Sequence, residues 1–224
     1  MYVGTVMRTE LVSVPPSTTL HAAQDMLDKK QINHLLVVDA DGELLGIVSD
    51  RDLKKSWASS ATTLSKNELM YLLDQVTVAS IMAKNTMTIA PGTTIERAAL
   101  LMNQNRINAL PVLEGDDLVG IITSSDVITI LLEAIGIEKD SARLTVLVKD
   151  RVGVISDISQ TLREKGINIR SLFTWPEKGH PGVYYLVVRV PAADGEKATA
   201  SLEGAGFKIL SHYVKDLDPY LPGS

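Results

Sequence analysis

Gly46, Ser49 and Asp52 stand in a spacing that recurs 74 positions later as Gly120, Thr123 and Asp126. Each stretch runs glycine, two apolar residues, a hydroxyl, two further residues and an acid. Two readings of that spacing are open. A serine or threonine followed three residues later by a carboxylate is a helix-start cap, and the glycine ends a strand. A helix start is also a place for an anion, because its free N–H groups and the positive end of its dipole point outward. There the hydroxyl can bond a phosphate or sugar oxygen, and the carboxylate can accept both hydroxyls of a ribose.

The elements that must position these residues belong to a duplication. A shift of 75 places Val6-Met7 on Ile81-Met82, Thr18-Thr19-Leu20 on Thr93-Thr94-Ile95, and Ile32-Asn33 on Ile107-Asn108. Leu35–Val38 falls on Leu110–Leu113, one residue drops from the next turn, and Leu44–Asp52 meets Leu118–Asp126. In each copy an extended segment ends near Pro15 or Pro91. A threonine-capped amphipathic helix follows, with a capping box expected at Thr93 and Glu96; His21 replaces the glutamate in the first copy. Two apolar runs joined by Asp39-Ala40-Asp41-Gly42 predict a hairpin, and the motif helix comes last. Strands apolar on both faces need cover on both, so the two copies must complete one core together. Repeats are expected at about 3–56 and 78–135 within a pair spanning 1–136. A helical insertion at 60–77 opens with a capping box at Ser65-Lys66-Asn67-Glu68.

After a polar break at 136–141 the pattern changes. Strands are expected at Arg143–Lys149, Ile167–Trp175, Val183–Val190 and Phe207–Val214, with helices at Ile155–Lys165 and Lys197–Gly204. Over residues 142–215 this order, βαββαβ, predicts a ferredoxin-like plait, and the fold class is α+β.

Composition excludes several functions. Residues 1–141 hold 11 Lys and Arg against 18 Asp and Glu, too acidic for general binding to nucleic acid. No cysteine is present, and four scattered histidines show no metal spacing, so neither a thiolate nor a metal site is expected. The most apolar run, Val127–Ile137, is broken by Thr129 and Glu133, so no membrane span is expected. With no basic-then-apolar leader pattern, cytoplasm is the default. An enzyme would need a nucleophile and base converging in a cleft, or a phosphate-cradling Gly-x4-Gly-Lys loop; neither is found, and no catalytic residue is assigned.

The repeats resemble CBS domains over about residues 3–135, both carrying the Gly-apolar-x-Ser/Thr-x-x-Asp motif. That resemblance implies a site for an adenosyl ligand (AMP, ADP, ATP or a relative). Asp52 and Asp126 would take ribose hydroxyls, Ser49 and Thr123 ribose or phosphate, and the strands around Ile32–Leu36 and Ile107–Pro111 the base. The first cleft adds Asp50, Arg51 and His34, with Lys54 and Lys55 nearby or, on the competing reading, on an exposed helix face; the second has Ser124, Ser125, Ala109 and Pro111. Phosphate needs counter-charge, so the first cleft is the one favoured for phosphates. The C-terminal residues Leu-x-Val-x-Val-Lys-Asp-Arg-x-Gly-Val-Ile, followed by Gly-Ile-Asn-Ile, resemble the ACT domain. That implies an amino-acid ligand held by Asp150, Arg151, Val152, Gly153, Val154 and Asn168. The order CBS–CBS–ACT resembles bacterial acetoin-utilisation proteins. It implies a homodimeric, non-catalytic regulator of an unknown protein target; a structural adaptor with empty clefts is the competing reading.

Overall fold

The computed structural model describes residues 1–58, 74–137 and 140–223. They divide into two compact units, Met1–Ile128 and Thr129–Ser224. Up to position 73 the expected helical insertion, with Ser65 and Glu68, lies outside the described residues.

The first unit holds the two copies. The first runs β1 (Ser13–Val14), α1 (Leu20–Lys30), β2 (His34–Val38), β3 (Leu44–Ser49) and α2 (Asp50–Ala58). The second runs α3 (Ile95–Asn105), β4 (Ala109–Glu114), β5 (Asp117–Thr123) and α4 (Ser124–Ala134), whose residues from Thr129 onward fall in the second unit. The hairpin turn is set by Asp39, whose Oδ1 accepts from the N–H groups of Asp41 and Glu43, while Gly42 takes φ +88°. Helices α1 and α3 end alike, with Gln31 and Arg106 both left-handed, 75 positions apart.

The sheets differ for one chemical reason. In the first copy Leu36 N–H donates to Val12 O at 3.2 Å, and β1 pairs with β2 in parallel. The corresponding residue in the second copy is Pro111, which has no N–H to give. There the parallel pairing shrinks to one bridge, Ile89 with Val112, and β4–β5 stands as a two-stranded sheet.

The capping box expected at Thr93 and Glu96 is displaced by one residue. Thr94 caps α3, its Oγ1 accepting from Arg97 N–H at 3.2 Å, and Thr19 caps α1 through Ala22 N–H at 3.2 Å. Thr93 is spent elsewhere, since its carbonyl accepts from Val3 N–H at 2.8 Å. Starting α3 at Ile95 also buries Ile95, Ala98 and Met102 on one face. Thr94→Ala should therefore lower stability by about 1 kcal/mol and Thr93→Ala by much less. Urea melts of both variants check this, and equal losses would contradict the assignment.

The copies exchange their leading segments, a feature no local pattern announces. Tyr2 bridges Thr94 and Arg8 bridges Ile121, in the second copy; Thr77 bridges Thr19 and Ala83 bridges Ile47, in the first. Val78, fully buried, completes the core of the first copy with Leu20, Leu27, Leu35, Val48 and Leu53.

The second unit contains β6 (Ser141–Lys149), α5 (Val154–Glu164), β7 (Ser171–Pro176), β8 (Val183–Pro191) and α6 (Gly195–Gly204). Its sheet order is β6-β8-β7, all antiparallel. One face buries Leu144, Val146, Leu186 and Val188 under Ile158, Leu162, Ala198 and Leu202 of the two helices. The expected last strand, Phe207–Val214, is reduced to one bridge between Ile209 and Val146, with Leu210 N–H donating to Thr145 O at 2.8 Å. An edge strand has one neighbour to hold it. Beyond Ile209 and Leu210 little is buried, and Tyr213 is 89% exposed.

Candidate functional site

Both motif helices start the same way. Asp52 Oδ2 accepts from Ser49 N–H at 3.0 Å and from Ser49 Oγ–H at 2.5 Å. Asp126 Oδ2 accepts from Thr123 N–H at 2.9 Å and from Thr123 Oγ1–H at 2.6 Å. The capping reading of the motif thus holds, but it uses only one oxygen of each carboxylate. Capping therefore orients the acid without exhausting it. Asp52 Oδ1 takes no hydrogen bond from any described residue. Asp126 Oδ1 is occupied: the Arg8 guanidinium donates to it from Nη2 at 2.8 Å and from Nε at 3.2 Å.

The strands before each hairpin line up with the helix starts. His34 is the strand partner of Ser49 and Ala109 that of Thr123. The backbones are tied by Asp50 N–H donating to Asn33 O at 3.0 Å and Ser124 N–H to Asn108 O at 2.9 Å. Three parts therefore flank each motif: its own helix start, its own strand, and the leading segment of the other copy, bridged to Ile47 or Ile121. The first cleft has His34 and Ala83 where the second has Ala109 and Arg8.

Lys54 is paired with Asp50 at 2.7 Å on the α2 surface, and Arg51 and Lys55 are exposed. Ser125 is exposed, whereas Ser124 is partly covered at the helix start. Pro111 is buried in β4, opposite Ile121. Arg8 was missed because it lies 118 residues from Asp126. The one available signal was its place in the duplication, where Arg8 matches Ala83.

Burial pushes the His34 imidazole below its ordinary value of 6.5, against the opposing pull of Asp52. Burial also raises the Asp126 carboxyl, but hydrogen bonds from Thr123 and Arg8 outweigh it and hold the group below the usual carboxylate range. For His34 the unfolded chain takes up the proton first as pH falls, so the His34 contribution to stability declines below about pH 6.5. His34→Gln should therefore flatten the drop in melting temperature between pH 7.5 and 5.5. A drop as steep as the parent's would refute the burial of a neutral imidazole.

In the C-terminal unit a groove of about 450 Å³ lies at the turn from β6 into α5, lined in part by Asp150, Arg151, Gly153 and Val154. Gly153, at φ +90°, caps α5 without any side-chain hydrogen bond. The first turn of α5 thus has no side-chain cap, and its residues Val154, Ile155 and Ser156 border the groove. Arg151 is paired with Asp157 at 2.5 Å. Not all the expected residues gather here. Val152 is 99% exposed, and Asn168 lines a separate depression with Ser159 and Arg163. Thr174 and Tyr184 join the groove from β7 and β8; only the strand register that brings them together could have named them.

The CBS domain family model matches residues 3–59 and 78–133. The chain belongs to the CBS-domain family. Its C-terminal part matches the ACT domain model over residues 142–202. The CBS-domain chain is 34% identical over 131 residues to a CBS domain-containing protein of Dictyostelium discoideum, covering 58% of this chain and 90% of that one. Among solved structures it resembles a Vibrio cholerae protein assigned to acetoin utilization (AcuB), with 31% identity and a TM-score of 0.50, over 59% of this chain and 91% of the other. It also resembles the CBS domain pair of protein MJ0100, solved with 5'-methylthioadenosine and S-adenosyl-L-methionine. That likeness has 26% identity and a TM-score of 0.50, over 58% and 95% of the two chains. The chain spans 23% and 24% of two curated enzymes that it matches, so that likeness carries no activity across.

Proposed function

We propose that this CBS–CBS–ACT chain is a non-catalytic regulator that takes an adenosyl ligand in its CBS pair and an amino acid in its ACT domain. One observation carries the nucleotide reading. In the first cleft Asp52 is fixed at its helix start by one oxygen and offers the other to a ribose. The adenosyl ligands of the MJ0100 pair support the same class of ligand here. In the ACT groove the bare N–H groups at the start of α5 suit a carboxylate, and Asp150 beside them suits an ammonium. A ligand would regulate by binding two states of the protein unequally.

Calorimetry of the full chain against AMP, ATP, 5'-methylthioadenosine and S-adenosylmethionine tests the first part. Heat from at least one supports it, and none from any overturns it. Native mass spectrometry with a mixture of amino acids tests the second. The adaptor reading draws on the second cleft, where Arg8 already satisfies Asp126.

The homodimer, the cytoplasmic location and a role linked to acetoin use belong to the same proposal. Ile128 and Leu132, one turn apart on α4, are exposed apolar side chains that a second copy would cover. Light scattering at micromolar concentration decides this, and a monomer mass would refute it.

A further inference from the structure

The two clefts differ at one corresponding position, and the difference acts on the carboxylate that each motif presents. Arg8 and Ala83 are matched by the duplication, and their backbones are held alike. Arg8 N–H donates to Ile121 O at 2.9 Å and Ile121 N–H returns to Arg8 O at 3.0 Å; Ala83 and Ile47 exchange the same pair at 2.9 and 3.1 Å. Alanine leaves Asp52 Oδ1 unoccupied by any described residue. Arginine covers Asp126 Oδ1 with two donors. The Asp126 side chain is 16% exposed and that of Arg8 54% exposed, so the guanidinium reaches the acid from the solvent side.

With Thr123 on Oδ2 and Arg8 on Oδ1, Asp126 has both oxygens engaged. A ribose can reach it only by displacing the guanidinium. An uncharged nucleoside that did so would leave a cation without a partner beside a partly buried acid, which is unfavourable. A nucleotide phosphate changes that balance. Guanidinium pairs with phosphate as well as with carboxylate, through the same planar fork. The exchange then costs little: Arg8 gives up one oxyanion for another while its backbone stays on Ile121.

We propose that Arg8 makes the second cleft selective for adenosyl ligands bearing phosphate, and that Ala83 leaves the first cleft open to uncharged ones. This rests on the adenosyl reading of both clefts and assigns each a ligand class. It runs against the preference drawn from Arg51, Lys54 and Lys55, cations that stand on the exposed surface of α2 with Lys54 paired to Asp50. Arg8 acts here as a specificity-determining residue, guarding Asp126 until a phosphate draws it off.

The test uses the full chain carrying Asp52→Asn, which disables the first cleft, and compares AMP with adenosine by calorimetry. AMP is expected to bind about tenfold or more tightly than adenosine. Adding Arg8→Ala should weaken AMP and strengthen adenosine, bringing the two within about threefold of each other. Arg8→Lys keeps a cation on the same backbone and should retain a preference for AMP. An AMP-to-adenosine ratio unmoved by Arg8→Ala overturns the role of Arg8 alone. Silence of the Asp52→Asn chain toward AMP also overturns the role of Arg8, whereas silence of the parent chain toward AMP, ATP, adenosine, 5'-methylthioadenosine and S-adenosylmethionine alike overturns the nucleotide reading itself.

Discussion

Asp52→Asn should weaken the binding of an uncharged adenosyl compound such as 5'-methylthioadenosine by about 10- to 100-fold, whereas Asp126→Asn should change it little. Asparagine keeps the shape of the side chain and one acceptor oxygen, so Ser49 can still be satisfied at the start of α2. What it lacks is the second oxygen and the charge. A hydrogen bond to a charged group contributes about 1.5–3 kcal/mol, which sets the range. Asp126 gives no comparable loss because Arg8 already occupies its second oxygen. Calorimetry with thermal melts as a folding control makes the comparison. Binding by Asp52→Asn within about threefold of the parent would remove Asp52 from the site.

Gly46→Ala should be the most damaging small substitution in the CBS pair. A Cβ there would stand 2.6 Å from the backbone oxygen of Ala83 and 3.1 Å from Met82 Sδ. The Ala83 oxygen cannot retreat, because Ala83 and Ile47 hold each other by two backbone hydrogen bonds. Relief requires the crossing segment to lift away. Overpacking and a lost hydrogen bond together cost about 3 kcal/mol, or roughly 10 °C in melting temperature for a unit of this size. Gly120 provides the control. A Cβ there meets the Met7 side chain, its Sδ first and its Cγ at 2.9 Å, and a methionine can swing aside. Gly120→Ala should therefore cost about 1 kcal/mol. Scanning calorimetry of the two variants distinguishes them, and equal shifts would mean that the crossing segments are not held as described.

Much of this was legible before any coordinates. Hydroxyl and acid recur at one spacing, and every apolar run of the first copy has its counterpart in the second; together these located both helix starts and the strands in front of them. A helix start and a hairpin are set by residues close in sequence, so local patterns suffice. The approach of Arg8 to Asp126, and of Ala83 to the cleft of Asp52, is set by crossings of the chain that no local pattern encodes. The cap on α3 moved from Thr93 to Thr94 for the same reason, since the carbonyl of Thr93 was claimed by Val3 from the other copy. In the ACT domain Asn168 and Asp150 looked like one constellation because both flank helix α5. They flank opposite ends of it, and the fold assigns them to different depressions.

The trading of leading segments also bears on how such a pair can change over generations. Arg8, which covers Asp126 Oδ1, stands in the half that carries the first motif, and its counterpart Ala83, which bridges Ile47, in the half that carries the second. Neither half of the duplicated chain builds the surroundings of its own motif unaided. A substitution early in one half therefore changes what lies beside the other half's motif, so the two motifs diverge through changes made in trans within a single polypeptide.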